Sequence, residues 1–313
     1  MVKSIFKKKV LAAATFFVVS AAVVLSGFSM QNAKADTGNY AYPSTQYVKH
    51  DYTTGQNTTY TLPAIASINY GNALAMQAMA DANEDTRPNA EYDSATVKIT
   101  GNYGGYTAEG TGFIIGEHEI MTAAHVVDQF TGCTFTVTVP DANPYSSNSQ
   151  KFDVKSVHIP KSYIDFTQSH VYGDSTQNYD YAIVVVDADL SEYGSYLLGM
   201  ATDSAINNNV PIHCVGYSGN ALKISNGTIE QFNTSVNDGY KDNNITFNAV
   251  SFGGTSGGPI YVESAFSMTG NENQAETYRT AVSLVSTGDR NNHVYGYYID
   301  PIVLQFAYDN DNL

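Results

Sequence analysis

Phe252-Gly253-Gly254-Thr255-Ser256-Gly257-Gly258-Pro259 sets one serine among four glycines and closes the run with a proline. Glycine loses too much backbone freedom and proline lacks a donor, so the stretch is neither a helix nor a central strand; it is a tight loop. The glycines admit backbone conformations barred to other residues, which lets Ser256 be pushed outward while neighbouring N–H groups turn toward the same point. That combination suits acyl transfer, which needs a hydroxyl nucleophile beside donors for the oxyanion formed when it attacks a carbonyl. The same run also describes a plain turn, so its meaning depends on the rest of the chain.

Two upstream stretches supply that context. Met121-Thr122-Ala123-Ala124-His125-Val126-Val127 places a histidine after small residues in an apolar run. Tyr179-Asp180-Tyr181-Ala182-Ile183-Val184-Val185-Val186 places an aspartate at the head of a strand. The chain order is His, Asp, Ser, the one that accompanies paired β-barrels among the convergent triads. Together with the serine loop, these motifs make the chain resemble the chymotrypsin (trypsin-like) serine protease family over about residues 95–305. Gly216-Tyr217-Ser218-Gly219-Asn220 and the Asp180-Tyr181-Ala182-Ile183-Val184 form resemble its bacterial glutamyl-endopeptidase branch. The resemblance implies an all-β fold of two packed six-stranded antiparallel β-barrels with a short C-terminal helix. It also implies a secreted serine endopeptidase that forms an acyl-enzyme, with glutamyl specificity in that branch.

Each role has a chemical reason. A serine hydroxyl is a weak attacker at neutral pH, so Ser256 needs a base within hydrogen-bond reach. His125 is that base, since imidazole titrates near working pH and can return the proton to the leaving amine. Asp180 would accept the other imidazole N–H and stabilise the imidazolium. Asp174, in a polar loop without a following strand, is the rival for this role. The resemblance places the oxyanion donors at the backbone N–H groups of Gly254 and Ser256. Thr255 departs from the family pattern, because trypsin-type enzymes carry there an aspartate that pairs with a freed N-terminal amine; activation by that route is not available to this chain. The resemblance also assigns substrate contacts to Ser251, five positions before the nucleophile, and to Ser286 and Gly288, with Ser286 standing where the glutamyl branch has its pocket histidine. Without that cation a substrate carboxylate lacks its main compensation, leaving acidic and small or uncharged preferences both open, with Arg290 or His293 as substitutes for the missing charge.

Composition bounds the rest. Lys3, Lys7, Lys8 and Lys9 precede an apolar run from Val10 to Leu25, and Ala33-Lys34-Ala35 supplies small residues at the expected cleavage positions, so residues 1–35 read as a signal peptide. These residues hold five of the fifteen Lys and Arg and no acid, leaving 10 positive against 30 negative side chains beyond them. A chain so acidic repels phosphate backbones, which excludes nucleic acid and anionic lipid as expected partners. Protein or peptide substrates, a monomer, and no membrane contact after signal removal are the expectation. Residues 36–88 read as a pro-segment or disordered leader with a short helix over Ala73–Ala80 and a maturation cut between about residues 60 and 90, because residues 36–65 offer few aliphatic side chains for a core. Residues 89–195 and 196–313 are then the two barrels. Cys133 and Cys214 fall in different barrels and read as separate buried thiols. No metal-ligand spacing and no nucleotide-binding glycine loop occurs, so no cofactor is expected. Two other readings stay open: a narrow-specificity protease similar to the exfoliative-toxin members of the branch, and a catalytically silent protease-fold binding protein.

Overall fold

Short runs rich in valine, isoleucine, threonine and tyrosine between turn residues build strands, and most of this chain is such runs. The computed structural model describes residues 44–62, 93–103, 106–129, 133–141, 148–169, 179–201, 209–218, 221–233, 236–237, 240–241, 243–251, 253–266, 276–289 and 292–310. The expected signal peptide, the helix over Ala73–Ala80 and Asp174 lie outside the described residues. A hairpin comes first, β1 (Thr45–Asp51) and β2 (Gln56–Leu62). The next six strands are β3 (Thr96–Tyr103), β4 (Tyr106–Ile114), β5 (Glu119–Thr122), β6 (Cys133–Pro140), β7 (Ser149–Pro160) and β8 (Ala182–Val186). They pair in the order β7-β6-β3-β4-β5-β8, and β8 pairs back onto β7 to close an antiparallel barrel.

A two-residue strand, β9 (Leu197–Leu198), leads to the second half. There β10 (Pro211–Ser218), β11 (Ala221–Asn233), β14 (Asn244–Asn248), β17 (His293–Tyr298), β16 (Glu276–Gly288) and β15 (Pro259–Phe266) follow one another around a second closed barrel, β15 returning to β10. A small two-stranded ribbon, β12 (Val236–Asn237) and β13 (Tyr240–Lys241), projects from it. Among the described residues the α-helices are α1 (Ala124–Val127), α2 (Lys161–Ser169) and α3 (Pro301–Asn310). The fold is therefore two six-stranded antiparallel barrels with a short C-terminal helix.

Strand β8 shows why its sequence is apolar at every position. Ala182, Val184 and Val186 point into the first barrel's core with Ile99, Ile120 and Val137. Tyr181, Ile183 and Val185 point the other way, into a cluster with Phe113, Met121, Val215, Leu284 and Tyr297 that joins the two barrels. A strand covered on both faces has no polar alternation. Ile212, Ile245, Phe247, Ile260 and Val282 fill the second barrel. Asp180 heads β8, and so stands where the two barrels meet.

One expectation is corrected here. The leader is not unstructured over residues 45–62: β1 pairs with β7, Tyr47 opposite Pro160 through Asp51 opposite Ser156, and β2 pairs with β1. The hairpin obtains its apolar contacts from Tyr47 and Tyr60 together with its few aliphatic residues, Val48 and Leu62. Tyr47 is fully buried and stacks on Phe306 of α3 at 4.1 Å. Its turn is closed by Asp51, whose carboxylate accepts from the N–H groups of Thr53 and Thr54, both at 2.9 Å, and by Gly55 at φ +68°. Gly101-Asn102-Tyr103 belongs to β3, with Gly101 close against the ring of Phe135. Cys133 and Cys214 are separate buried thiols on strands of different barrels, as the sequence led us to expect.

Candidate active site

Hairpin β4–β5 delivers the chain to Ala123, and the single turn α1 then presents His125 at the seam between the barrels. Its imidazole keeps 26% of its side-chain surface exposed, while Asp180 is fully buried. Asp180 Oδ2 lies 2.8 Å from His125 Nδ1, and Oδ1 accepts the His125 backbone N–H at 2.9 Å. With an acceptor-only carboxylate on Nδ1, that nitrogen carries the proton and Nε2 is left as the basic one. Burial pulls the His125 pKa down most strongly, but the charge and hydrogen bond of Asp180, with help from Asp128, outweigh it and carry the pKa above the ordinary 6.5. Asp128, held by the Tyr163 hydroxyl at 2.9 Å, is itself pushed up, chiefly by burial.

The serine loop is pinned from both barrels. Gly254 and Gly257 sit at φ +91° and +81°, conformations that favour glycine, so the loop needs glycine at these two positions. Thr111 N–H on β4 donates to the Ser256 carbonyl at 2.8 Å. Gly257 N–H donates to Val285 O at 2.7 Å, and Val285 N–H donates to Gly258 O at 2.9 Å. At Gly257 an added Cβ would stand 2.2 Å from Thr122 Oγ1 and 2.8 Å from Ala123 N. Glycine thus lets the residue after Ser256 touch the backbone two residues before His125.

These contacts close a ring. Gly257 abuts Ala123, Ala123 leads to His125, His125 meets Asp180, and Asp180 accepts a 2.5 Å hydrogen bond from Ser286 Oγ, which follows Val285, the partner of Gly257. The structure so gathers His125, Asp180 and the loop bearing Ser256 at one point. Such an arrangement can take a proton from a hydroxyl and stabilise the resulting imidazolium.

Ser286 needs a correction. The sequence reading makes it a substrate contact, but it is buried and its hydroxyl is committed to Asp180. Ser251 and Gly288 do lie side by side: an added Cβ on Gly288 would stand 2.2 Å from Ser251 Oγ. His293 is no free cation, because Nδ1 is 2.8 Å from Asp289 and Nε2 is 3.5 Å from Glu230. Arg290 lies outside the described residues. Asp128 and Thr111, which also touch this site or its supports, were not singled out by the sequence: Asp128 closes the His125 turn without belonging to a motif, and Thr111 is brought in only by the pairing of the barrels. Among the described residues no group of three or more His, Cys, Asp or Glu is placed to hold a metal ion.

Comparison with known proteins agrees with this architecture. Among solved structures the chain is similar to a Glu endopeptidase, with 16% identity and a TM-score of 0.50 over 74% of this chain and 95% of that one. It is also similar to Deg5, at 15% identity and a TM-score of 0.44 over 68% and 88% of the two chains. The active form of the Rv3671c protease from M. tuberculosis gives 18% identity and a TM-score of 0.44 over 69% and 80%. At 16% identity the likeness to the Glu endopeptidase concerns the fold alone. No curated protein matches the sequence. A family model for the trypsin-like peptidase domain matches residues 110–267, just over half of the 313-residue chain, and that span holds His125, Asp180 and Ser256. The chain belongs to the trypsin-like peptidase domain family.

Proposed function

We propose that this protein is an exported serine endopeptidase. Ser256 Oγ attacks the peptide carbonyl carbon while His125 Nε2 takes its proton, and Asp180 balances the imidazolium. The carbonyl oxygen, now an anion, is received by the N–H groups of Gly254 and Ser256. Collapse expels the amine with the proton from His125, and water then releases the acyl group by the same steps in reverse order. The observation that carries this reading is the ring of contacts from Gly257 through Ala123, His125, Asp180, Ser286 and Val285 back to Gly257. It ties the serine loop, the histidine turn and the aspartate strand into one rigid unit.

The residue before the scissile bond is small and uncharged in this reading. Both nitrogens of His293 face carboxylates, Ser286 serves Asp180, and Ser251 Oγ crowds Gly288. A glutamate side chain would meet acidic neighbours with no free cation in reach among the described residues. Export rests on the charged, apolar and small-residue pattern of residues 1–35.

The test is a fluorogenic peptide panel varied at that residue, run with the secreted protein and with Ser256→Ala. Cleavage after alanine, serine or glycine exceeding that after glutamate, lost by at least about 10³-fold in Ser256→Ala, is the expected result. A serine-directed phosphonylating reagent labels the wild type and not the variant. Retained hydrolysis in Ser256→Ala overturns the mechanism; strong preference for glutamate overturns the specificity alone. N-terminal sequencing of the secreted species checks export.

A further inference from the structure

We propose that the Thr111 hydroxyl is the positioning group that keeps the oxyanion donors aimed at the carbonyl under attack. The inference rests on the reading of Ser256 as the nucleophile. Thr111 is fully buried on β4, in the first barrel. Its Oγ1 donates to the Gly254 carbonyl at 2.7 Å and accepts the Tyr217 N–H, from β10 of the second barrel, at 2.8 Å. A hydroxyl has a single proton, and an N–H can only donate, so the direction is fixed: Tyr217 gives to Thr111, and Thr111 gives to Gly254.

The loop has one weak point, and this bond falls on it. Gly253 is exposed with nothing within 4 Å of where a Cβ would be, and Gly254 sits at φ +91°. Two glycines in succession permit peptide rotations that would carry the Gly254 N–H away from the reacting centre. The Gly254 N–H belongs to the Gly253–Gly254 peptide and the Ser256 N–H to the Thr255–Ser256 peptide; anchoring the Gly254 carbonyl fixes the Gly254–Thr255 peptide that links the two, and so sets how the donors are aimed relative to each other. The backbone N–H of the same threonine holds the Ser256 carbonyl at 2.8 Å, so Thr111 grips the loop on both sides of Thr255. Space has been left for this approach: a Cβ on Gly216 would stand 2.7 Å from Thr255 Cγ2 and 3.1 Å from Thr111 Oγ1. The loop is therefore held on both sides of Thr255 by hydrogen bonds of the folded chain itself.

Thr111→Val keeps the volume and removes the hydroxyl; Thr111→Ser keeps the hydroxyl and removes a methyl. On the best peptide from the panel, Thr111→Val is expected to lower kcat by about 10- to 100-fold with KM changed by less than about threefold, because an oxyanion contact acts in the transition state. A peptide trifluoromethyl ketone, which forms a tetrahedral adduct with the serine, weakens by a similar factor, and Thr111→Ser stays within about threefold of wild type. Wild-type kcat in Thr111→Val overturns the proposal. So does an equal fall of Thr111→Val and Thr111→Ser, which marks general destabilisation, or a change confined to KM. A folded wild-type protein that cleaves no peptide and takes no phosphonyl label overturns the protease reading itself, and is seen before any Thr111 variant is made.

Discussion

Asp180 carries three donors on two buried oxygens, and each can be tested separately. Ser286→Ala removes one hydrogen bond to a charged acceptor, worth about 1.5–3 kcal/mol to the folded state, and should lower both kcat and Tm, the latter by several degrees. Steady-state kinetics beside a thermal melt checks this. A second test addresses pH. Catalysis requires neutral His125, whose pKa lies above 6.5, so the acid limb of kcat/KM falls at a higher pH than for free histidine. The charge of Asp128 contributes to that elevation, so Asp128→Asn should move the limb to lower pH; a limb that stays put removes Asp128 from the account. His125, Asp180 and Ser256 were legible in the sequence because small residues and glycines mark the places where backbone must crowd a reactive side chain. Ser286 was legible as a site residue but not in its direction. The pairing of β16 with β17 shifts register between Val285 and Thr287, and a bulge of that kind re-aims a side chain without leaving a mark in the local sequence.

At the scale of elements, the serine loop is fixed by backbone contact more than by side chains, and Gly257 is where that contact is tightest. Gly257→Ala would place a methyl 2.2 Å from Thr122 Oγ1 and 2.3 Å from Thr111 O, at φ +81°. Strain at such a φ costs about 1–3 kcal/mol before any clash is counted. The variant should lose activity and several degrees of Tm together, in contrast to Ser256→Ala, which loses activity alone; a wild-type melt for Gly257→Ala would refute the packing argument. Elements with an apolar run at a turn boundary, such as β5, β8 and β15, were readable from the run itself. Strands β7 and β11 were not. The first half of β7, Ser149–Asp153, is largely exposed and polar, and β11 is interrupted by Gly227, which reads as a turn. The structure gives Gly227 another purpose, since a Cβ there would stand 1.6 Å from Asn248 O on the neighbouring segment. The β1–β2 hairpin was misread for a related reason: its two aliphatic contacts, Val48 and Leu62, are joined by Tyr47 and Tyr60, which a count of aliphatic residues passes over.

The whole molecule is held by three bodies, two barrels and the hairpin, joined through buried polar contacts as well as apolar ones. Asp93, at the start of the first barrel, pairs at 2.5 Å with Arg279 of β16, which also lies 4.5 Å over the Tyr196 ring. The hairpin is fastened by Tyr47 stacked on Phe306 and by Tyr60, whose hydroxyl is 3.0 Å from His158 Nδ1. His158 Nε2 is 3.2 Å from Ser156 Oγ, so this fully buried ring has both nitrogens occupied by hydroxyl groups and no carboxylate beside it. Burial, with a smaller contribution from Lys49, lowers its pKa from 6.5 to about 3. The sign follows directly: between those values the unfolded chain binds a proton at His158 that the folded chain refuses, so acidification favours unfolding. Stability from this one group is complete above pH 6.5 and falls by about 1.4 kcal/mol for each pH unit below it, down to about pH 3. His158→Gln, which keeps hydrogen-bonding groups without a titrating one, should be less stable than wild type at pH 7.5, yet lose less stability on going to pH 4.5. Urea unfolding at the two pH values measures the difference, and parallel acid losses in both proteins would mean that the hairpin is not locked by a neutral histidine.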